Sequence, residues 1–187
     1  MSTKNEEYLK ILTEEIHSVV VATIDNRGLP ATRVIDIMLH DRDGLYFLTA
    51  RGKSFYSQLM QKPYLSLSGM TGGIGTMAKK AITLSGAVKN IGHEKRDAIF
   101  DANPYMSQIY PTVESREVLS VFCLYKGQGE FFDLSTQPIT RGSFTIGDQT
   151  PLSYGYHITD ACNECGICFD VCPQQAILKP GMTTATE

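Results

Sequence analysis

The N-terminal residues alternate apolar and charged positions at the spacing of an amphipathic helix. Leu9, Leu12 and Ile16 fall on one face of a helix over residues 3–17, and glutamate and lysine side chains fill the opposite face. The β-branched run 18–24 follows directly and predicts a buried strand. The chain is therefore expected to open with a helix followed by a buried strand.

Short apolar segments separated by Gly, Pro, Asn and Asp continue along the chain and predict a succession of strands. The predicted strands are 31–40, 45–49, 64–69, 81–91, 118–125, 129–134 and 143–146, and the predicted helices are 52–61, 94–102 and 105–109. Lys126-Gly127-Gln128 is expected to turn the last long hairpin, and the Gly-rich stretch 69–78 to connect another. This pattern predicts a mainly β fold with flanking helices, arranged as a small antiparallel barrel.

Composition and charge narrow the class of protein. The chain has 187 residues, of which 42% are hydrophobic and 20% charged, as is typical of a globular protein with one good core and a small appendage. A net charge of −3 without a basic cluster argues against binding to nucleic acid or to an anionic membrane. No apolar stretch is long enough to span a bilayer, and the polar N-terminus lacks the apolar core of a signal peptide. These features predict a cytoplasmic protein.

Four cysteines near the C-terminus have the spacing Cys162-x2-Cys165-x2-Cys168-x3-Cys172, followed by Pro173. This is the bacterial ferredoxin run for a [4Fe–4S] cluster, whose iron is held by thiolates. Zinc is the alternative, but its sites usually pair two well-separated Cys-x2-Cys hooks, and one tetrahedral ion would be cramped here. A disulfide framework is disfavoured because such closely spaced hooks in a non-secreted chain indicate metal or redox sites. The run therefore predicts an iron–sulfur cluster.

The chain has only one such run, which raises a question about its fourth cysteine. In two-cluster ferredoxins the fourth cysteine of each run binds the other cluster. We hypothesise that two chains pair their tails about a two-fold axis, so that each Cys172 completes the cluster of its neighbour. The fifth cysteine, Cys123, lies in an apolar strand, where a small core residue is the simpler interpretation.

Several local patterns follow one another in a fixed order over residues 8 to 146. A helix and a strand are followed by a turn with Gly and Pro, and then by a strand that begins with Arg33-Val34-Ile35. A later strand ends in Phe47-Leu48-Thr49, and Gly52-Lys53-Ser54 stands at the start of the next helix. This order resembles the pyridoxamine 5′-phosphate oxidase-like family of FMN-binding split β-barrels.

The resemblance implies that the barrel binds FMN and forms a homodimer that encloses it. Arg33 offers a bidentate fork for the phosphate, and Lys53 and Ser54 stand at a helix N-terminus, where free N–H groups favour an anion. The further residues implied to line the cofactor are Val34, Ile35, Leu48 and Thr49. The chain departs from the oxidase itself at Met38 and Gly52 and has no tryptophan, so the vitamin-forming activity is not expected.

Two redox cofactors in one chain predict an oxidoreductase, with an FMN-binding domain at 1–150 and a half-ferredoxin segment at 151–187. Such a protein passes electrons between a one-electron carrier, such as a ferredoxin-type donor, and a small-molecule acceptor through the flavin. Candidate proton donors are Tyr105, Tyr110 and His17. Two alternatives stay open: a non-catalytic redox sensor or electron carrier, and a barrel that binds flavin or haem without turnover.

Overall fold

The structure is a computed structural model that describes residues 3–137, 139–148, 161–172 and 177. The chain divides into two compact units, Met1–Leu152 and Ser153–Glu187. Within the described residues, all strands belong to the first unit, and the second contains one short helix. The predicted boundary at residues 150–151 and Pro173 of the cysteine run lie outside the described residues, so the two functional domains stay a prediction.

The first unit is mainly β with flanking helices, as predicted. Its strands are β1 (Ser18–Ile24), β2 (Pro30–Asp36), β3 (Leu39–Asp41), β4 (Gly44–Ala50), β5 (Tyr64–Met70), β6 (Lys80–Gly92), β7 (Leu119–Asp133) and β8 (Thr140–Ile146). Its helices are α1 (Thr3–Lys10), α2 (Ser54–Gln61), α3 (Arg96–Ala102), α4 (Met106–Ile109) and α5 (Val113–Arg116), and one further short helix, α6 (Ile167–Val171), lies in the second unit. The glycine-rich stretch connects β5 to β6, as predicted, and contains a 3₁₀ turn at Thr76–Ala78. The helices of the described residues are all too short or too polar to serve as a membrane span.

The N-terminal helix is present, but its second half, Ile11–Ile16, is wound as a π-helical turn. The N–H of His17 donates to the carbonyl of Leu12 at 2.9 Å, five residues back, and His17 then turns the chain with a φ of 58° and a ψ of −65°. A positive φ is strained in a residue that carries a β-carbon. The turn leads directly into β1, and Leu12 and Ile16 pack in the main core.

All eight strands belong to one antiparallel sheet with the order β2-β1-β5-β6-β7-β4-β3, and β8 also pairs with β7. The long strand β7 is shared by both halves of the sheet. Its first part, Leu119–Leu124, pairs with β4, and its second part, Gly127–Asp133, pairs with β8. Both partners thus lie on one edge of β7 and β6 lies on the other, and residues of α1 and α2 pack with those of the strands in the main core.

The predicted hairpin across Lys126-Gly127-Gln128 is wrong, because the chain runs straight through these residues as part of β7. Gly127 lies opposite Gly86 of β6, where the two backbones come very close. A Cβ on Gly127 would lie 2.7 Å from the carbonyl oxygen of Ser85. The glycine therefore allows a close backbone approach inside a strand and does not form a turn.

The predicted strand 31–40 is also wrong in one respect, because it is interrupted at Ile37 and Met38. The N–H of Ile37 donates to the carbonyl of His17 at 2.8 Å, whereas the N–H of Met38 donates to the carbonyl of Tyr46 at 2.9 Å. The backbone of this segment thus changes its hydrogen-bond partner from the start of β1 to β4 within two residues. This crossing brings the end of β2 next to β4, where the candidate site lies.

Candidate functional site

A cavity of about 310 Å³ lies between β2, β4 and the start of α2, and we call it the β2–β4 cavity. Its lining residues are Arg33, Val34, Ile35, Leu48, Thr49, Lys53, Ser54 and Phe55. The structure thus brings together all seven cofactor residues proposed from the sequence and adds Phe55. That they bind FMN stays a prediction.

One end of the cavity is cationic. Arg33 and Lys53 both line it, and neither forms an ion pair with any carboxylate of the described residues. The Arg33 guanidinium instead donates to the neutral oxygens Thr23 Oγ1 and Gln58 Oε1, the latter at 2.8 Å, and its Cζ lies 4.5 Å from the centre of the Phe55 ring. These contacts hold the Arg33 guanidinium in place and leave its positive charge uncompensated.

Burial lowers the pKa of Arg33 from its ordinary value, because desolvation disfavours the charged form when no anion is near. The guanidinium nevertheless stays protonated, since its ordinary pKa is far above neutrality. An anionic ligand beside Arg33 would offset this desolvation. The charge balance of the cavity therefore favours an anion.

The N-terminus of α2 adds hydrogen-bond donors to the same end. Lys53 is the N-cap residue, with an extended backbone at φ −86° and ψ 145°, and no side chain caps the first turn. The first N–H groups of an α-helix have no partner within the helix, and the helix dipole favours negative charge there. Ser54, the first residue of α2, adds an exposed hydroxyl. Together with Arg33 these groups suit a phosphate.

The rest of the cavity is apolar and better suited to a flat ring. The apolar side chains of Val34, Ile35 and Leu48 line it, and Thr49, which also lines it, is buried. A cationic end joined to apolar walls matches the two parts of FMN, an anionic phosphate and a flat aromatic ring. The residues present therefore fit this cofactor.

A second depression, of about 290 Å³, lies on the outer face of the sheet, and we call it the outer-face depression. Its lining residues are Ser18, Val19, Val20, Val34, Ser68, Gly69, Met70 and Ala81. Val34 lines both cavities, so the two are neighbours on β2. Val20, Val34 and Met70 are each at least half exposed, at 50%, 66% and 53%, which makes this face unusually apolar for a free surface.

Of the three candidate proton donors, the structure brings two together. Tyr105 Oη lies 3.2 Å from His17 Nε2, although the residues are 88 positions apart in the chain. Tyr110 packs against a separate core cluster that includes Phe100 and Met106. His17 and Tyr105 therefore form a cluster, which Asp36 completes.

The cysteines of the second unit lie around α6. Cys162, Cys165 and Cys168 are exposed, Cys172 is half-buried, and none forms a disulfide. The N–H of Glu164 donates to Cys162 Sγ at 3.4 Å, the kind of contact that tunes bound thiolates. Four thiols suit iron chemically, but in the described residues no three potential ligands lie close enough to hold a metal ion. The cluster therefore stays a prediction.

Three residues of the site were not identified from the sequence. Thr23 and Gln58 hold Arg33, and Phe55 lies under it. Thr23 alone left a signal, since it is a polar residue on the inward face of β1, which otherwise carries Val19 and Val21. The roles of Gln58 and Phe55 depend on the packing of α2 against the sheet, which the sequence does not reveal.

Comparisons with known proteins agree with this fold and assign the chain to a family. The family model described as "Pyridoxamine 5'-phosphate oxidase" matches residues 5–126, and one described as "4Fe-4S binding domain" matches residues 156–178. The chain therefore belongs to the pyridoxamine 5′-phosphate oxidase family and carries a 4Fe–4S motif near its C-terminus. Together they indicate a redox function.

Among curated proteins, the chain is similar to pyridoxine/pyridoxamine 5′-phosphate oxidases. It is 26% identical over 127 residues to the enzyme of Legionella pneumophila, which covers 66% of this chain and 57% of that enzyme. It is 27% identical over 105 residues to the enzyme of Bacteroides thetaiotaomicron, which covers 56% of this chain and 47% of that enzyme. The chain thus spans about half the length of these relatives.

Solved structures share the fold of the first unit. A nimC/nimA family protein from Clostridium acetobutylicum superposes with a TM-score of 0.63 at 22% identity, covering 76% of this chain and 92% of that one. A heme binding protein from Mycobacterium smegmatis superposes with a TM-score of 0.58 at 14% identity, covering 78% of this chain and 59% of that one. The predicted split-barrel fold is confirmed.

Proposed function

We propose that the protein is an FMN- and iron–sulfur-dependent oxidoreductase that passes electrons between a one-electron carrier and a small-molecule acceptor. The observation that carries this proposal is the β2–β4 cavity. It combines two cations without a described carboxylate partner, an uncapped helix N-terminus and apolar walls, in a family of FMN-binding barrels. The four-thiol motif supplies the second half of the proposal.

The two cofactors have complementary chemistry. A bound FMN supplies one- or two-electron transfer, and a [4Fe–4S] cluster supplies single-electron transfer. Within the cavity, Arg33, Lys53 and the first turn of α2 hold the phosphate, and Val34, Ile35 and Leu48 keep water from the ring. The protein's own residues thus bind and orient the cofactor, and the cysteine run connects it to a ferredoxin-type donor.

We further propose that the active form is a homodimer, with a second copy covering the outer-face depression. This face is apolar and exposed, and it adjoins the β2–β4 cavity through Val34, which lines both. Val20→Glu should give a monomer in analytical ultracentrifugation. Val113→Glu, a control at an exposed apolar position on α5, should leave the dimer intact. A wild-type monomer would refute this part of the proposal.

Pairing of two tails is the arrangement that we propose for the cluster. Cys123 is the only other cysteine of the chain, and it is 1% exposed, with its Sγ 3.8 Å from the carbonyl oxygen of Asp43. Burial also raises the pKa of Cys123 to about 11, which disfavours the thiolate that iron requires. We therefore assign the fourth ligand to Cys172, which in the paired arrangement comes from the neighbouring chain.

Cluster-dependent turnover tests the function. Cys162→Ser should lose the cluster and keep FMN, because Cys162 belongs to the second unit and the cavity to the first. Reduction of a quinone or nitro compound should then continue with dithionite but stop with reduced ferredoxin as the donor. Cys123→Ala is the control and should retain both reactions.

The other outcomes identify the alternative functions. A protein with both cofactors but no turnover of any acceptor would be a redox sensor or an electron carrier. A Soret band without flavin absorption would identify a haem-binding barrel, and the heme binding protein of Mycobacterium smegmatis has the same fold. Either result would overturn the proposed enzyme.

A further inference from the structure

The Arg33 guanidinium belongs to a closed ring of hydrogen bonds with Thr23 and Gln58. Arg33 Nη1 donates to Thr23 Oγ1, and Arg33 Nη2 donates to Gln58 Oε1 at 2.8 Å. Thr23 Oγ1 donates its own proton to the same oxygen of Gln58 at 2.7 Å. Gln58 Oε1 thus accepts two hydrogen bonds, which fixes the orientation of the amide, because the NH₂ group of a flipped amide could accept neither.

The protein groups that hold Arg33 are all neutral. A guanidinium that is withdrawn from water is ordinarily paired with a carboxylate, since the burial of an unpaired charge is costly. Arg33 is half-buried, yet its partners are a hydroxyl, an amide and the ring of Phe55. Gln58 therefore occupies the place beside Arg33 where a carboxylate would be expected.

The ring of hydrogen bonds leaves most of the guanidinium donors for a ligand. A guanidinium has five N–H donors, and Thr23 and Gln58 take one each. The other three have no acceptor among the residues that the structure describes, and Arg33 lines the β2–β4 cavity. Arg33 is thus held in place by two hydrogen bonds, while its charge and its remaining donors stay available at the cavity.

Helix α2 connects this ring to the other groups at the cationic end. Gln58 follows Ser54 by four residues, so the two share one face of α2 and lie about 6 Å apart along its axis. Ser54 and the N-cap residue Lys53 line the cavity. The same helix therefore presents its uncapped N–H groups at the cavity and, through Gln58, sets the position of Arg33.

We propose that Gln58 determines the charge of the ligand that the β2–β4 cavity selects. The inference rests on the flavin function proposed above and names the residue that makes the cavity prefer a phosphate monoester, and thus FMN over riboflavin. As a neutral acceptor, Gln58 orients Arg33 without compensating its charge. A carboxylate at the same place would orient Arg33 equally well and compensate its charge, so the cavity would lose its preference for an anion. Gln58 is a positioning residue, because it acts through Arg33 and does not itself line the cavity.

The nearly isosteric variant Gln58→Glu tests the inference. The variant keeps an acceptor oxygen for Arg33 and Thr23 and adds one negative charge. In fluorescence titrations of flavin-free protein, the Kd for FMN should rise about 10- to 100-fold, because the introduced carboxylate offsets a charge-assisted interaction with the phosphate. The Kd for riboflavin, which carries no phosphate, should stay at the wild-type value.

The stability of the flavin-free protein gives a readout of opposite sign. The introduced carboxylate compensates the charge of Arg33, so the midpoint of urea unfolding of Gln58→Glu should equal or exceed that of wild type. A merely structural role of Gln58 would instead lower this midpoint together with the affinity for both flavins. Gln61→Glu is the matched control, since it makes the same change in the last residue of α2, which is exposed and outside the cavity. It should leave both Kd values unchanged.

A second measurement needs neither a flavin nor a variant. In nitrogen NMR of the flavin-free wild type, inorganic phosphate should shift the guanidinium signals of Arg33. It should not shift those of Arg27, whose Nη2 already pairs with Asp25 Oδ2 at 2.9 Å. The phosphate-induced shift of Arg33 should disappear in Gln58→Glu.

The outcomes separate this inference from the proposed function. An unchanged FMN affinity in Gln58→Glu, or an equal loss of affinity for FMN and riboflavin, would overturn the inference and leave the flavin function standing. The same holds for a loss of FMN affinity in Gln61→Glu as large as that in Gln58→Glu, and for Arg33 signals in the wild type that do not respond to phosphate. A wild-type protein that binds neither flavin would overturn the proposed function and this inference with it.

Discussion

Replacement of Lys53 by alanine removes a cation from the β2–β4 cavity at little cost to the fold. The Lys53 side chain is exposed and has no hydrogen bond or ion pair with the described residues, and its backbone continues to serve as the N-cap of α2. Arg33→Ala would instead free Thr23 and Gln58, so its effects on binding and on folding would be mixed. Lys53→Ala is therefore the cleaner test of phosphate binding.

The size of the effect follows from the contact that is lost. A charge-assisted hydrogen bond contributes about 1.5–3 kcal/mol, and about 1.4 kcal/mol corresponds to a tenfold change in affinity. The Kd for FMN should therefore rise about 10- to 100-fold in Lys53→Ala. Because the side chain is exposed, screening by salt favours the lower part of this range.

Riboflavin, which has the same ring and no phosphate, separates the phosphate contact from every other effect. Fluorescence titration of flavin-free protein should give equal riboflavin affinities for wild type and Lys53→Ala. Lys62→Ala is the control, because Lys62 lies beyond the opposite end of α2 and outside the cavity. An equal loss of affinity for FMN and riboflavin, or an unchanged FMN affinity, would refute the assignment of the phosphate to this end.

Three further predictions concern the scaffold. Gly86→Ala would place a Cβ 2.5 Å from the carbonyl oxygen of Lys126, so the free energy of unfolding in urea should fall by about 1–3 kcal/mol, whereas Gly52→Ala meets nothing within 4 Å and should match wild type. Burial alone would raise the pKa of Asp36, but hydrogen bonds from Ser18 and Tyr105 outweigh burial and lower that pKa. The ionised carboxylate therefore stabilises the folded protein fully above about pH 4, and this stabilisation is lost as the pH falls through the folded-state pKa of Asp36. Asp36→Asn should therefore reduce stability more at about pH 7 than at about pH 3, and equal losses would contradict this. Cys123, with its pKa raised to about 11 by burial, should react with iodoacetamide only after unfolding, and its rapid alkylation in the folded protein would contradict the burial.

Local patterns predicted those parts of the fold that depend on neighbouring residues. The amphipathic spacing of Leu9, Leu12 and Ile16 and the β-branched run of β1 gave the right elements, because both reflect burial of one face. The turn predicted at Gly127 is wrong because a glycine between two apolar runs usually indicates a turn. Here the glycine instead allows the backbone of a second strand to lie against it. That second backbone, at Gly86, lies 41 residues earlier in the sequence than Gly127.

The sequence predicted which residues line the candidate site, but it did not predict how their side chains are arranged. The order of Arg33, Thr49 and Lys53 along the chain identified the family, and the structure places these residues around one cavity. The partners that fix Arg33 and the contact between His17 and Tyr105 were not predictable. Both depend on the packing of helices and turns against the sheet, which long-range contacts determine.

The central claim is that one chain holds both a flavin and an iron–sulfur cluster. Its most direct test is the content of FMN, iron and sulfide in protein purified without oxygen. The account predicts about one FMN, four iron atoms and four sulfides per chain, as one [4Fe–4S] cluster requires. Colourless protein, or protein that contains zinc in place of iron, would contradict it.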